Sequence, residues 1–333
     1  MLARTADNLY WFARYVERAD HVARIIEATS RLAALPRAYG GATSEWESAL
    51  ISSGVIERFN KTGREINEAN AIAFLVVDTE NPSSIHSCME AARRNARAVR
   101  TALTIETWEA VNAAWLELLR YERERAKGRG LERDDLGRFL ALVKKMALDV
   151  DGSAYRMMLR SEAFYFMRLG HFVERADNTA RLLDVKYHVL LPDSEAVGGS
   201  LDYFQWSAIL RAVSANTAYH WVYRESVKPW LVADLLILRA EMPRSLTACY
   251  ENIVRWLDLL ARDYGRQGKA QRHAHAMLAK LQAADLKIIF QNGLHGAYDE
   301  WQTGEYHGDD DAEWRVGDGD ADPRKQLAKP SVR

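Results

Sequence analysis

Glutamate followed directly by arginine, set among aromatic residues, occurs at two related places in this chain of 333 residues. The first is "VERADHVARIIE", from Val16 to Glu27, and the second is "VERADNTARLLD", from Val173 to Asp184. Seven of the twelve positions are identical and the copies lie 157 residues apart. A carboxylate beside a guanidinium can do three kinds of chemistry. Buried, the pairs can join two parts of a molecule and fix their register. Arg14, Arg18 and Arg175 can present planar forks to a carboxylate or phosphate ligand. Glu17 or Glu174 can act as a general base beside an arginine that holds its pKa low. Neighbouring residues on a helix do not face each other, so Glu17 and Arg18 do not form a pair by themselves. Asp20–Arg24 and Asp177–Arg181 can, as acid-then-base pairs four apart, and a solvated face accounts for them. The structural reading is the strongest of the three, with the other two left open.

Other residue types invite narrower readings. "NPSSI" and "MPRSL" place Ser84, and Arg244 with Ser245, at helix starts, where exposed N–H groups hold anions. Helix capping explains the same serines more simply. Cys88 and Cys249 occupy equivalent positions, and small buried core thiols account for both. Arg93, Arg94, Arg97 and Arg100 in "AARRNARAVR" make either a solvated basic face or a surface for phosphate or an acidic partner. A di-iron bundle requires Glu-x-x-His, a spacing absent from this sequence, and His21 becomes Asn178 in the second copy. "RHAHA" places His273 and His275 on divergent helix faces. "GDGDAD" (Gly317–Asp322) lacks the closing glutamate of a calcium loop. No metal site and no cofactor are expected.

The elements that must hold these residues are helices. Leu9, Phe12, Val16, Ala19, Ala23 and Ile26 recur at spacings of 3 and 4, as do Phe166, Leu169, Val173, Ala176, Ala180 and Leu183. Each set predicts an amphipathic helix burying one stripe. The repetition continues: "EWESAL" (Glu45–Leu50) is echoed by "QWSAIL" (Gln205–Leu210). "FLVVDTENPSSIHSCME" (Phe74–Glu90) is echoed by "LLILRAEMPRSLTACYE" (Leu235–Glu251), with six of seventeen positions identical. The blocks keep their order while the offset drifts from 157 to 161, as small loop insertions produce. Proline is expected in the first turn of the helices that follow "EN" and "EM". Further helices are expected over Leu103–Lys127, capped by Thr104, over Arg133–Gly152, ending at the glycine, and over most of Arg266–Trp301. No run alternates with period 2, so a sheet is not expected. The fold class is all-α: an internally duplicated, pseudo-two-fold helical bundle. Residues 1–152 form one half, 153–305 the second, packed as one unit, and 306–333 a disordered acidic tail.

Composition narrows the function. A net charge of −1 does not suggest a nucleic-acid binder. No stretch reaches the roughly 18 apolar residues of a membrane span. Two cysteines make no disulfide framework, and the N-terminal stretch does not look like a secretory signal, so a cytoplasmic protein is expected.

At "NLYWFARYVERADHVAR", "FLVVDTENPSSI", "AARRNARAVRTALTIETWEAVN", "HFVERADNTARLLD" and "EMPRSLTAC", in that order, the chain resembles the alpha-E family, a bacterial all-helical domain with a repeated Glu-Arg motif. The resemblance covers roughly residues 1 to 305. The family's motif falls on Glu17, Arg18, Glu174 and Arg175; an acidic residue expected near Arg94 is replaced by the basic run. The resemblance implies a partner: a circularly permuted ATP-grasp enzyme that ligates amino acids or peptides, with a transglutaminase-like peptidase as functional neighbour. On that basis the chain is expected to be an accessory subunit of an amide-ligase system. A stand-alone enzyme using the Glu/Arg pairs as base and carboxylate clamp remains open, as do a structural oligomerisation scaffold and homo-oligomer formation.

Overall fold

The computed structural model describes residues 1–34, 45–126, 133–190 and 200–284, the side chains at 125–134 and 185–202 excepted. The expected tail at 306–333 and the helix beyond residue 284 lie outside the described residues.

Among the described residues there are thirteen α-helices and no strand. The chain opens with α1 (Ala3–Ala33), then four shorter helices, α2 (Glu45–Ser52), α3 (Ile56–Asn60), α4 (Glu68–Val76) and α5 (Ile85–Ala98). Two long helices follow, α6 (Ile105–Ala126) and α7 (Arg133–Met157). The order then resumes with α8 (Glu162–Leu190), α9 (Ser200–Ala212), α10 (Asn216–Tyr223), α11 (Pro229–Ala233), α12 (Leu246–Tyr264) and α13 (Lys269–Ala283). A five-residue π turn, Asp234–Leu238, continues α11.

Local chemistry sets the helix starts. Asn67, Ser84 and Ser245 each cap a helix, accepting hydrogen bonds from the backbone N–H of Asn70, Ser87 and Ala248. Thr104 accepts from the N–H of Thr107 at 3.2 Å, as its sequence position suggested. The prolines depart from expectation. Pro82 and Pro243 sit two residues before the caps, in turns closed by Ser84 N–H to Asn81 O (3.0 Å) and Ser245 N–H to Met242 O (2.9 Å). The serine hydroxyl takes the orphan N–H groups of the first turn, so proline is left to shape the approach. Gly152 does not end its helix either; α7 runs on to Met157, because a lone glycine weakens a helix by only about 1 kcal/mol.

Helix α1 is the axis of the molecule. It packs against α8 most extensively and also against α5, α7, α9 and α2. The expected stripe is buried, with Leu9, Phe12, Ala19, Ala23 and Ile26 all inaccessible. So are Arg14, Glu17, Asp20 and His21 on the flanks. One buried stripe is therefore too modest a description: neighbours close on α1 from every side, and its polar residues must find partners inside. Helices α1 and α8 run side by side in the same direction, since Met1 meets Glu162, Tyr10 meets Gly170 and Arg18 meets Glu174. Helix α2 packs on α8 and α9 on α1.

Candidate functional site

The contact between α1 and α8 is close because Gly170 has no side chain. A Cβ built there would lie 2.1 Å from the backbone oxygen of Tyr10. The offset of 157 aligns Gly170 with Ala13, also buried. With the backbones this near, the Glu-Arg pairs exchange partners. Glu17 of α1 accepts from Arg175 of α8 through Nε at 3.0 Å and Nη2 at 3.3 Å. Glu174 of α8 accepts from Arg18 of α1 through Nε at 2.6 Å and Nη2 at 3.0 Å. Each motif residue thus finds the opposite residue of the other motif, in the bidentate geometry that favours arginine over lysine.

Each glutamate then takes a second guanidinium, from a different source. Arg14 Nε donates to Glu174 at 2.7 Å. Its equivalent, His171, lies near Glu17 instead, Nδ1 to Oε2 at 3.3 Å. The second guanidinium on Glu17 comes from Arg244, just before α12, whose Nη1 donates at 2.9 Å while Nη2 donates to Asp20 at 2.9 Å. Ser83 stands at the position equivalent to Arg244. The two sides therefore reach the same ratio of two guanidiniums to one carboxylate with different residues. Arg244 is itself held by its carbonyl, which accepts from Thr179 at 2.8 Å.

Asp20 and Asp177 pair with Arg24 and Arg181 at 2.7 and 3.0 Å, as the spacing predicts. Asp20 is only 2% exposed, however, so the solvated face expected there is an interior one. Arg244 covers it. Arg24 Nη1 donates to Ser214 Oγ at 2.7 Å, and Arg181 lies over Gly54, 3.0 Å from where a Cβ would be. Gly54 and Ser214 both have left-handed backbones, at φ 68° and 56°. The aromatic residues beside the motifs cover the arginines: Arg14 lies 4.8 Å from the Trp11 ring, Arg18 5.7 Å from Tyr15 and Arg175 5.7 Å from Phe172.

The electrostatics follow from this packing. Burial alone would raise the pKa of Glu174, but Arg18 and Arg14 outweigh it and bring it down to about 2. Against the same burial, Arg175 and Arg244 hold Glu17 well below the usual carboxylate range. His21 and His171 are driven down to about 3 by burial, reinforced by Arg244 and Arg175 respectively, so both are neutral at pH 7. Burial also pushes the thiols of Cys88 and Cys249 up to about 12, leaving them unreactive and in the core.

The remaining candidates fall elsewhere. Ser84 and Ser245 are fully buried and committed to capping. The basic run on α5 is divided. Arg93 Nε donates to Asn112 Oδ1 at 3.0 Å and the guanidinium lies between the rings of Trp108 and Trp115. Arg100 lies 5.4 Å from Trp108, while Arg94 and Arg97 are exposed. Sequence reasoning missed Gly170, His171, Arg168 and Asp151. Arg168 pairs with Asp151, whose Oδ1 lies 3.8 Å from His171 Nε2. The signal was available in part: the repeat offset alone sets Arg14 against His171 and Ala13 against Gly170. No group of three or more His, Cys, Asp or Glu that could hold a metal occurs among the described residues.

The model of one protein family, described as a predicted alpha-helical domain with a conserved ER motif, matches residues 1–307. This chain belongs to the Alpha-E family. The Glu-Arg motif of an Alpha-E domain is thus, in this chain, the reciprocal pairing of Glu17 with Arg175 and of Glu174 with Arg18. No curated protein and no solved structure matches the chain. No helix among its described residues is long and apolar enough to cross a membrane.

Proposed function

We propose that this Alpha-E chain is an accessory subunit of a cytoplasmic, circularly permuted ATP-grasp amide-ligase system serving peptide or amino-acid-conjugate synthesis. In this reading its Glu-Arg pairs lock two duplicated halves into one unit and take no part in bond making. The observation that carries it is the saturation of Glu17 and Glu174, each buried and each holding two guanidiniums. A general base works best with a pKa near the operating pH, and the pairing moves both carboxylates the other way. The same pairing occupies Arg14, Arg18, Arg175 and Arg244, the forks that a ligand carboxylate would need. The ligase partnership itself rests on the resemblance of the motifs to the alpha-E family.

Affinity purification of the tagged chain from its native cells, with mass spectrometry of what co-elutes, tests the partnership. Stoichiometric recovery of an ATP-grasp protein is the expected outcome. Recovery of the chain alone under gentle conditions would sink it. The lock is tested separately with Glu17→Gln: ligation by the reconstituted pair should fall only as far as the folded fraction falls. A folded variant with no turnover would restore the catalytic reading.

A further inference from the structure

Away from the Glu-Arg lock, α1, α2, α8 and α9 leave a groove of about 80 Å³ between them. A cavity of roughly 10–15 Å³ on this measure holds one water, so the groove takes a ligand of about five to eight heavy atoms. Its floor is apolar, formed by Ile25, Ala28, Leu182 and Ile209. Among the described residues the charge along its wall is one-sided: Glu45 lines it, and no lysine, arginine or histidine does. Glu45 has no hydrogen-bond or ion-pair partner among the described residues, unlike Glu17 and Glu174. The residue aligned with Glu45 across the repeat is Gln205, which lines the same groove. One wall therefore carries a carboxylate where the other carries a neutral amide.

We infer that this groove binds the ammonium end of a short aliphatic primary amine, with Glu45 as counter-ion and the alkyl body against Ile25, Leu182 and Ile209. An alkylammonium supplies a cation at one end and some four carbons behind it, matching the lone carboxylate and the apolar floor. A carboxylate ligand would be repelled by Glu45. An alcohol of equal length would bury the same carbons and donate one hydrogen bond to Glu45, but it carries no charge and so forgoes the ion-pair attraction that the ammonium adds. The inference rests on the groove and not on the ligase reading, and its test uses no partner protein.

Methyl NMR of the full-length chain, labelled at Ile and Leu, is the measurement, with n-butylammonium, n-butanol and n-butyrate as probes. The expected result is displacement of the Ile25, Leu182 and Ile209 methyl signals by n-butylammonium. Its affinity should exceed that of n-butanol by about tenfold or more, the ratio that the ion-pair attraction to Glu45 supplies in a partly buried groove, with n-butyrate weakest. In Glu45→Gln, with an unchanged melting temperature, the preference for the amine over the alcohol should fall to about one. Ala208→Leu, which fills the groove from α9, should abolish the shifts from both. Equal affinity of the wild type for amine and alcohol would overturn the inference. So would an undiminished preference in Glu45→Gln, or shifts that survive Ala208→Leu.

Discussion

A carboxylate held by two guanidiniums inside a protein is poor evidence for stability but good evidence for register, because removing one partner leaves charges stranded. Glu174→Gln keeps the volume of the side chain but leaves Arg14 and Arg18, both largely buried, facing a neutral amide. Breaking a buried pair in this way typically costs about 3–5 kcal/mol. Urea unfolding should report a loss of that order for Glu174→Gln and for Glu17→Gln, with no change in the steepness of the transition. A loss below about 1 kcal/mol, the range of exposed pairs, would mean that the lock is solvated and its role has been misjudged. At this scale the sequence was informative about residue types and much less so about partners. The recurrence of Glu-Arg beside aromatic residues pointed to a paired, buried use. Which arginine meets which glutamate depends on the approach of α1 to α8, and that Arg244 substitutes for a counterpart of Arg14 depends on a turn some seventy residues beyond Glu174. Neither is written in any local period.

At the scale of the helix, the approach of α1 to α8 hangs on one residue. Gly170→Ala would place a methyl group 2.1 Å from the Tyr10 carbonyl oxygen, a backbone atom that cannot swing aside. The helices must separate, and the arginines of each would lose reach to the glutamate of the other. The variant should melt well below the wild type despite the better intrinsic helix propensity of alanine. Gly152→Ala is the matched control: it too lies within a helix, but nothing stands within 4 Å of its added Cβ. That change should raise stability by about 0.5–1 kcal/mol. Opposite shifts in the two melting curves, the larger and downward one in Gly170→Ala, would locate the close approach; two stabilised variants would refute it. Helix type, order and the Thr104 cap were readable from spacing because each depends on residues within one or two turns. The ends at Gly152 and the two prolines were not, since the native neighbours of α7 and the serine caps of α5 and α12 overrule the local preference. Nor could a stripe of spacings reveal that α1 is enclosed on all sides.

For the whole molecule, the buried histidines and glutamates combine into one dependence on pH. His21 and His171 titrate near 6.5 in an unfolded chain and near 3 in the folded one. Between those values the unfolded chain binds protons that the native state refuses, so stability is full above about pH 6.5 and falls as the pH drops. Glu174, brought down to about 2 from an ordinary value near 4.5, adds its loss as the pH falls below that ordinary value. Glu17 acts in the same direction. His86 opposes them. Its bond to Glu122, partly offset by burial, raises its pKa, so its contribution is full below about 6.5 and fades as the pH rises through the raised value. That contribution is small, because His86 is only half buried. The melting temperature should therefore be nearly level from pH 8 to 7 and fall continuously from about pH 6.5 to 4, without a plateau between the histidine and carboxylate ranges. His21→Asn, which installs the residue found at position 178 in the second copy, should flatten the fall from about pH 6.5 down to about 3, where His21 itself takes a proton, and leave the carboxylate share of it unchanged. Calorimetry across the series decides it: an unaltered slope between pH 6.5 and 4.5 in His21→Asn would mean that His21 is protonated in the folded protein. The neutral interior described for it would then be wrong.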